Sequence, residues 1–367
     1  MHVNQVDVVA SASDITAVPR GLHGKIGTLE LGRGVAAFLV VLDHAGYLVA
    51  ENRYFGRDAF NGLLLNGHVG VDFFFVLSGF IIATVHWPDI GDRMRLGHYA
   101  GRRFFRIMPP YWVILSIVVP IYLGSSLGVA RQHQWSNVLA SYLLFPMPEQ
   151  PVLGVAWTLT FEAFFYLLFA GLIRFGRRFF AVFLGWILVI AVVNADGQHD
   201  YPLSFLGSPF NLQFLLGMVV AAAHRRGLPR SQTGCQYLLW LGLTIFFAGV
   251  IFMRPDGVLE VPLVGRTFFG LAAAAIILGA SRLEQIRDIR VPGWLQQFGA
   301  MSYSLYLSHV VVESLFMRSI PWLPTGLQTP DAVAVLVSIA ALGGGWLYWR
   351  LIERPLVRLR RRGRGRG

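Results

Sequence analysis

The chain reads as an all-α integral membrane protein, a bundle of about ten transmembrane helices with its N- and C-termini cytoplasmic. Three observations point there. Of 367 residues, 55% are hydrophobic and only 14% charged, at a mean hydropathy of +0.55, whereas soluble domains carry about 25% charged residues. Apolar stretches of about 17–25 residues, the length that crosses a bilayer, recur along the chain. The segments between them are alternately rich and poor in arginine, the asymmetry that orients membrane helices.

Residues 1–30 are polar and lack the apolar core of a signal peptide, so they are expected to form a disordered cytoplasmic lead. Ten spans follow at 31–50, 67–86, 107–127, 155–173, 178–194, 208–224, 235–253, 264–281, 299–319 and 330–351. The stretch 135–148, WSNVLASYLLFPMP, is too short and too polar to cross and is expected to lie in the interface or to re-enter. With the N-terminus inside, 23 of the 31 basic residues fall on inside segments and five on outside ones, which puts both termini in the cytoplasm. One domain then covers 31–353, and 354–367 is a basic tail ending RLRRRGRGRG, read as an anchor on the anionic inner leaflet.

The net charge of +11 is made almost wholly of arginine, 30 of the 31 basic residues, clustered between the spans. Membrane orientation accounts for it. No basic face with interleaved aromatics suggests nucleic acid, and membrane lipids are the expected surroundings. The single cysteine, Cys235, excludes an intramolecular disulfide and a cysteine-ligated zinc site.

Span 1, LGRGVAAFLVVLDHAGYL, carries Arg33 and His44 eleven residues apart, three turns plus about 20°, so both leave one face about 16 Å apart along the axis. In span 2, Asp72 sits among Val71 and three phenylalanines and is expected to face the bundle interior rather than lipid, while Gly67, Gly70 and Gly79 allow another helix close. Ahead of span 3, Arg102, Arg103 and Arg106 bunch at a cytoplasmic boundary; orientation alone would place them there, but Arg103 and Arg106 share a helical face suited to gripping phosphate. Span 4 has Thr158, Glu162 and Tyr166 every four residues, one stripe with a carboxylate at mid-membrane depth. Span 9 has Ser302, Tyr306, His309 and Glu313 at offsets 0, 4, 7 and 11, a polar stripe on an apolar helix. Such faces need a shared interior, a cavity walled by spans 1, 2, 4 and 9. Span 10 ends in Glu353-Arg354-Pro355, read as a helix terminator with a charge pair at the interface.

A histidine in such a cavity is a natural general base, oriented by Asp72 or Glu162 from another helix; Asp43, one position before His44, diverges from it by about 100°. No metal-ligand spacing such as HExxH and no glycine-rich phosphate loop occurs, so no metal is expected. These residues by themselves fit a transferase, or a transporter or flippase of a glycan or lipid with His309, Glu313 and Glu162 relaying protons.

Six blocks in order resemble the membrane acyltransferase 3 family of bacterial O-acyltransferases: RGVAAFLVVLDHAG from Arg33, GVDFFFVLSGFIIA from Gly70, RRFFRIMPPYW from Arg102, WTLTFEAFFYLLF from Trp157, SYSLYLSH from Ser302, and the terminal ERP from Glu353. The resemblance implies a bacterial inner-membrane enzyme that moves an acyl group from cytoplasmic acyl-CoA, usually acetyl-CoA, to a hydroxyl of a carbohydrate or lipid-linked saccharide. By position it implies His44 as the catalytic histidine with Arg33 beside it, Arg103 and Arg106 as its RxxR element serving acyl-CoA together with Arg102, and Glu162 as its fourth-span carboxylate. Asp72 is grouped with the catalytic set, and Ser302, Tyr306, His309, Glu313 and Tyr166 with the acceptor or cavity lining. Departures are Gly32 where leucine is usual, Glu30 for aspartate, and Asp43 for an aromatic before the histidine. The two-domain, peptidoglycan-type members are a poorer match.

Overall fold

The structure, a computed structural model, describes residues 26–125, 128–197, 199–252, 263–287 and 289–364; most of the expected N-terminal lead and the last residues of the tail lie outside them. All regular structure among the described residues is helical. The helices are α1 (Gly27–Ala50), α2 (Gly70–His86), α3 (Leu96–Leu123), α4 (Trp135–Leu143), α5 (Trp157–Phe175), α6 (Phe180–Asp196), α7 (Leu203–Leu206), α8 (Phe210–Arg225), α9 (Gln232–Phe252), α10 (Leu263–Ile286), α11 (Gly293–Ala300), α12 (Ser302–Met317), α13 (Pro330–Tyr348) and α14 (Arg354–Arg364). Each expected span falls on a helix. By length and composition, eight described stretches can cross a membrane. One of these, Gly154–Ala195, holds both α5 and α6, and α12 with 16 residues lies outside the eight. The segment 135–148 contributes only the nine-residue α4. It is held against α3 by the Tyr111 hydroxyl donating to the Ser141 carbonyl at 2.8 Å and Trp112 Nε1 donating to the Tyr142 carbonyl at 2.9 Å.

Two glycine contacts set the innermost packing. A β-carbon at Gly70 would lie 2.3 Å from the Ala36 carbonyl oxygen of α1. One at Gly79 would lie 2.1 Å from the Phe214 carbonyl oxygen of α8, and Gly217 of α8 answers with 2.1 Å to the Val76 oxygen. Backbone therefore meets backbone on both sides of α2, the close approach expected of small residues in membrane helices. Around this centre Phe75, Phe165, Phe214 and Phe269 are buried, whereas Leu167, Leu184 and Leu188 project outward as an apolar perimeter suited to lipid.

The ends of the helices sort by charge. Gly27 and Thr28 at the start of α1 donate to Glu284 near the end of α10, at 2.7 and 2.9 Å. Gly91 of the α2–α3 turn donates to Leu172 near the end of α5 at 3.2 Å. Arg225 closing α8 lies over Trp87, and Arg282 of α10 donates to the Gly227 carbonyl. These ties gather the arginine-rich turns at one end of the bundle, the basic end. At the opposite end Asn66 donates to the Val250 carbonyl at 2.7 Å, and the Phe60 amide to Asp331 at 2.7 Å.

Span 10 departs from expectation. Glu353-Arg354-Pro355 does not terminate it: the backbone passes through a π turn at Trp349–Glu353 and continues as α14. Widening the turn accommodates the missing N–H and the ring of Pro355. It also leaves Glu353 buried, facing α3 and α12.

Candidate active site

Two polar clusters lie inside the bundle, on the same face of α1. The one nearer the basic end forms around Arg33. Arg33 pairs with Glu30 one turn before it at 3.4 Å, and it feels the charges of Arg106, Glu353 and Glu162. Arg106 of α3 pairs with Glu353 at 3.4 Å and lies over the Tyr303 ring at 5.6 Å. The second oxygen of Glu353 accepts from the Ser304 hydroxyl at 2.6 Å. Glu162 accepts from Tyr166 at 2.5 Å and from Ser78 at 3.0 Å. Arg103 lies over the Tyr166 ring at 5.6 Å and the Tyr99 ring at 6.0 Å, with its buried Nε lacking a protein partner. Arg102 points the other way and is exposed, because one residue turns the helix by about 100°. Arg103 and Arg106 therefore face into the bundle, and Arg102 does not.

The second cluster surrounds His44. Its Nδ1 lies 3.0 Å from the Val40 carbonyl, one turn back. A carbonyl only accepts, so this bond puts the proton on Nδ1 and leaves Nε2 as the basic nitrogen. His309 of α12 packs edge-on against it, ring centroids 4.9 Å apart. It repeats the arrangement, with Nδ1 3.2 Å from the Leu305 carbonyl and a buried Nε2 that has no protein partner. Asp43 is fully buried; Oδ1 meets His68 Nδ1 at 3.2 Å, and Oδ2 lies 3.9 Å from His44 Nδ1. The latter separation is too long for a hydrogen bond. Glu313 and Ser302 are fully buried with side-chain oxygens that no protein group bonds. Tyr306 is buried between the clusters, its hydroxyl 2.9 Å from Thr158 Oγ1 and donating to the Val155 carbonyl at 3.0 Å. The stripe on span 9 does face inward along its length.

Asp72 and Glu162 do not orient His44. Asp72, fully buried, is bonded by Arg266 of α10 at 2.6 Å and by Gln213 of α8, and Glu162 is held by Tyr166 and Ser78. The Val40 carbonyl orients the imidazole, a local bond that any histidine at this helical position can make. The polar clusters draw on more than spans 1, 2, 4 and 9: α3 supplies Arg106, the π turn supplies Glu353, and the segment before α2 supplies His68. His68 lies in the GHVG that opens span 2, where the glycines are the stronger signal and nothing local points to Asp43 as its partner. Glu353 belongs to the interior and not to a helix end, because the helix continues past Pro355. Among the described residues no group of three or more His, Cys, Asp or Glu side chains is placed to hold a metal.

A cavity of about 560 Å³ opens at the end of the bundle opposite the arginines, lined by α4, the end of α6, the starts of α5, α8 and α10, and residues of 145–151 and 199–209. Its lining includes neither His44 nor Arg103 nor Arg106.

Comparison with known proteins defines the class. Residues 26–350 match the family model Acyl_transf_3, described as an acyltransferase domain. The chain belongs to this family and is a multi-pass, membrane-bound O-acyltransferase. Among its relatives is the exopolysaccharide production protein ExoZ of Rhizobium meliloti (strain 1021), 31% identical over 319 residues, which cover 82% of this chain and 92% of ExoZ. Another is the acyltransferase MdmB of Streptomyces mycarofaciens, 24% identical over 381 residues, which cover 89% and 90% of the two chains. No solved structure matches the chain significantly.

Proposed function

We propose that this enzyme transfers an acyl group, in the first place acetyl, from cytoplasmic acyl-CoA to a hydroxyl of a carbohydrate acceptor at the bacterial inner membrane. The observation that carries the reading is His44. Its proton is tied to Nδ1, its Nε2 is free, its side chain is 34% exposed, and it stands on the same helical face as the arginine cluster. The name of ExoZ, a protein of exopolysaccharide production, supports a glycan acceptor.

The basic end faces the cytoplasm in this reading, with both termini on that side. Donor phosphates meet Arg103 and Arg106; the ion pair of Arg106 with Glu353 is loose enough at 3.4 Å to yield guanidinium N–H groups. The thioester then lies along α1 toward His44. His44 Nε2 takes the proton of the acceptor hydroxyl as its oxygen attacks the thioester carbonyl. The C–S bond breaks, the ester forms, and the imidazolium returns its proton to the departing CoA thiolate. Arg33 and its neutralising carboxylates brace the donor channel, while Tyr306, His309 and Glu313 line the reacting end.

The test uses purified protein in nanodiscs with radiolabelled acetyl-CoA and an extract of the host's surface glycans, comparing wild type with His44→Ala. The expected result is label in the glycan fraction that falls by about 10²–10⁴-fold in the variant, the range for loss of a general base. Full transfer by folded His44→Ala would overturn the assignment. Label that stays on CoA in the wild type would favour a transporter.

A further inference from the structure

We propose that the 560 Å³ cavity at the outer end is the recognition site for the acceptor, and that it takes neutral sugar residues of a glycan. The proposal rests on the acyltransferase reading for the identity of the acceptor; whether the cavity binds sugar is tested separately below.

The size is within the range of about 300–1,000 Å³ typical of small-molecule sites. The lining pairs two kinds of surface. Trp157 and Tyr201 supply aromatic rings, and Gln150, Glu149, His199 and Asp200 supply amide, carboxylate and imidazole groups. A sugar ring has the matching construction, with C–H groups over its faces and hydroxyls, each both donor and acceptor, around its rim. Aromatic faces cover the first, and carboxylates and amides answer the second. A lipid chain would leave these polar groups unmatched. His199 Nε2 is already buried without a protein partner, a group that calls for one.

Charge narrows the ligand. The one guanidinium in the lining is Arg266, and it is bonded to Asp72 at 2.6 Å and lies over the Phe210 ring at 4.4 Å. Its charge is thus met from within the protein, and Glu149 and Asp200 leave the lining acidic. Phosphate, uronate or sulfate groups are repelled there, the reverse of the basic end. The two ends of the bundle therefore sort the two substrates by charge, an anionic donor on one side and a neutral acceptor on the other.

Position supports the assignment. Trp157 is followed by Thr158, whose hydroxyl is 2.9 Å from the Tyr306 hydroxyl. The Tyr306 ring packs at 5.7 Å against His309, and His309 at 4.9 Å against His44. These contacts form a continuous chain from the start of α5, which lines the cavity, to the His44 ring, so in this proposal the anchored sugar lies on the same side of the bundle as the basic nitrogen.

The experiment measures glycan binding without donor. De-acylated surface polysaccharide of the producing cell is hydrolysed to oligosaccharides and split by anion exchange into neutral and anionic fractions. Binding of each to full-length protein in nanodiscs is followed by saturation-transfer-difference NMR and calorimetry. The neutral fraction should bind wild type, and bind Asp200→Asn and Trp157→Ala at least about tenfold more weakly, ~1.4 kcal/mol. Asp200→Asn, a change in a loop at the cavity mouth, keeps the test decisive if Trp157→Ala does not fold. The proposal is overturned if the neutral fraction fails to bind wild type, if the anionic fraction binds as well, or if folded Asp200→Asn binds normally. Loss of acyl transfer in every form, with neutral binding intact, would count against the catalytic reading and leave the cavity assignment standing.

Discussion

Arg266→Met removes the guanidinium that pairs with Asp72 inside the bundle, at the starts of α10 and α2. Asp72 is fully buried and Arg266 is 2% exposed, so no solvent takes the place of the lost guanidinium. Gln213 remains as a single donor to the carboxylate, and it also donates to the Arg266 carbonyl at 3.1 Å, which the substitution preserves. Removing one member of a buried pair costs about 3–5 kcal/mol, most of it from the stranded charge. Scaled from smaller domains, a chain of this length loses about 1–2 °C in melting temperature per kcal/mol, so the drop should be about 3–10 °C. The assay is thermal aggregation in detergent followed by size-exclusion chromatography, on wild type, Arg266→Met, Asp72→Asn and the double variant. The double variant should recover more than half of the loss, because it strands no charge. A single variant as stable as wild type, or a double variant no better than Arg266→Met, would refute the claim that this pair is a structural strut.

Three further outcomes follow from the packing and the arginine cluster. Gly79→Val would put side-chain carbon about 2.1 Å from the Phe214 oxygen, roughly 1.3 Å inside ordinary contact. It should therefore force α2 from α8 and cost at least 1–3 kcal/mol, read as lost monodisperse yield, whereas Gly185→Ala, with open space at its β-carbon, should be silent. Arg106→Ala should raise the KM for acetyl-CoA by about tenfold or more, ~1.4 kcal/mol, and the exposed Arg102→Ala by less than about threefold; equal effects would contradict the inward and outward placement of the two. Glu353→Gln keeps an acceptor for Ser304 but loses the charge that holds Arg106, so it should shift the KM for the donor more than kcat, while Glu353→Ala should also lower stability.

Much of this site is local in sequence and so was legible there. The apolar runs and the arginine asymmetry define a membrane bundle whatever its packing, because lipid demands satisfied backbones and charge decides orientation. The Arg33–His44 face, the span 9 stripe and the Glu162–Tyr166 pair follow from the helical period alone, and the bond from Tyr166 to Glu162 lies within one turn. The blocks that carry the family resemblance were equally visible. Only the tertiary structure decided partners between helices. Asp72 meets Arg266 across 194 residues, and Arg106 meets Glu353 across 247. Asp43 turns to His68 because the segment before α2 is pinned on α1 through Gly67, where a β-carbon would strike the Leu39 oxygen at 1.9 Å. Which carboxylate serves which cation depends on helix crossing and rotation, quantities set by the packing of whole faces. The cavity opposite the basic end is of the same kind: segments far apart in the chain build it, and no single stretch contains its pattern.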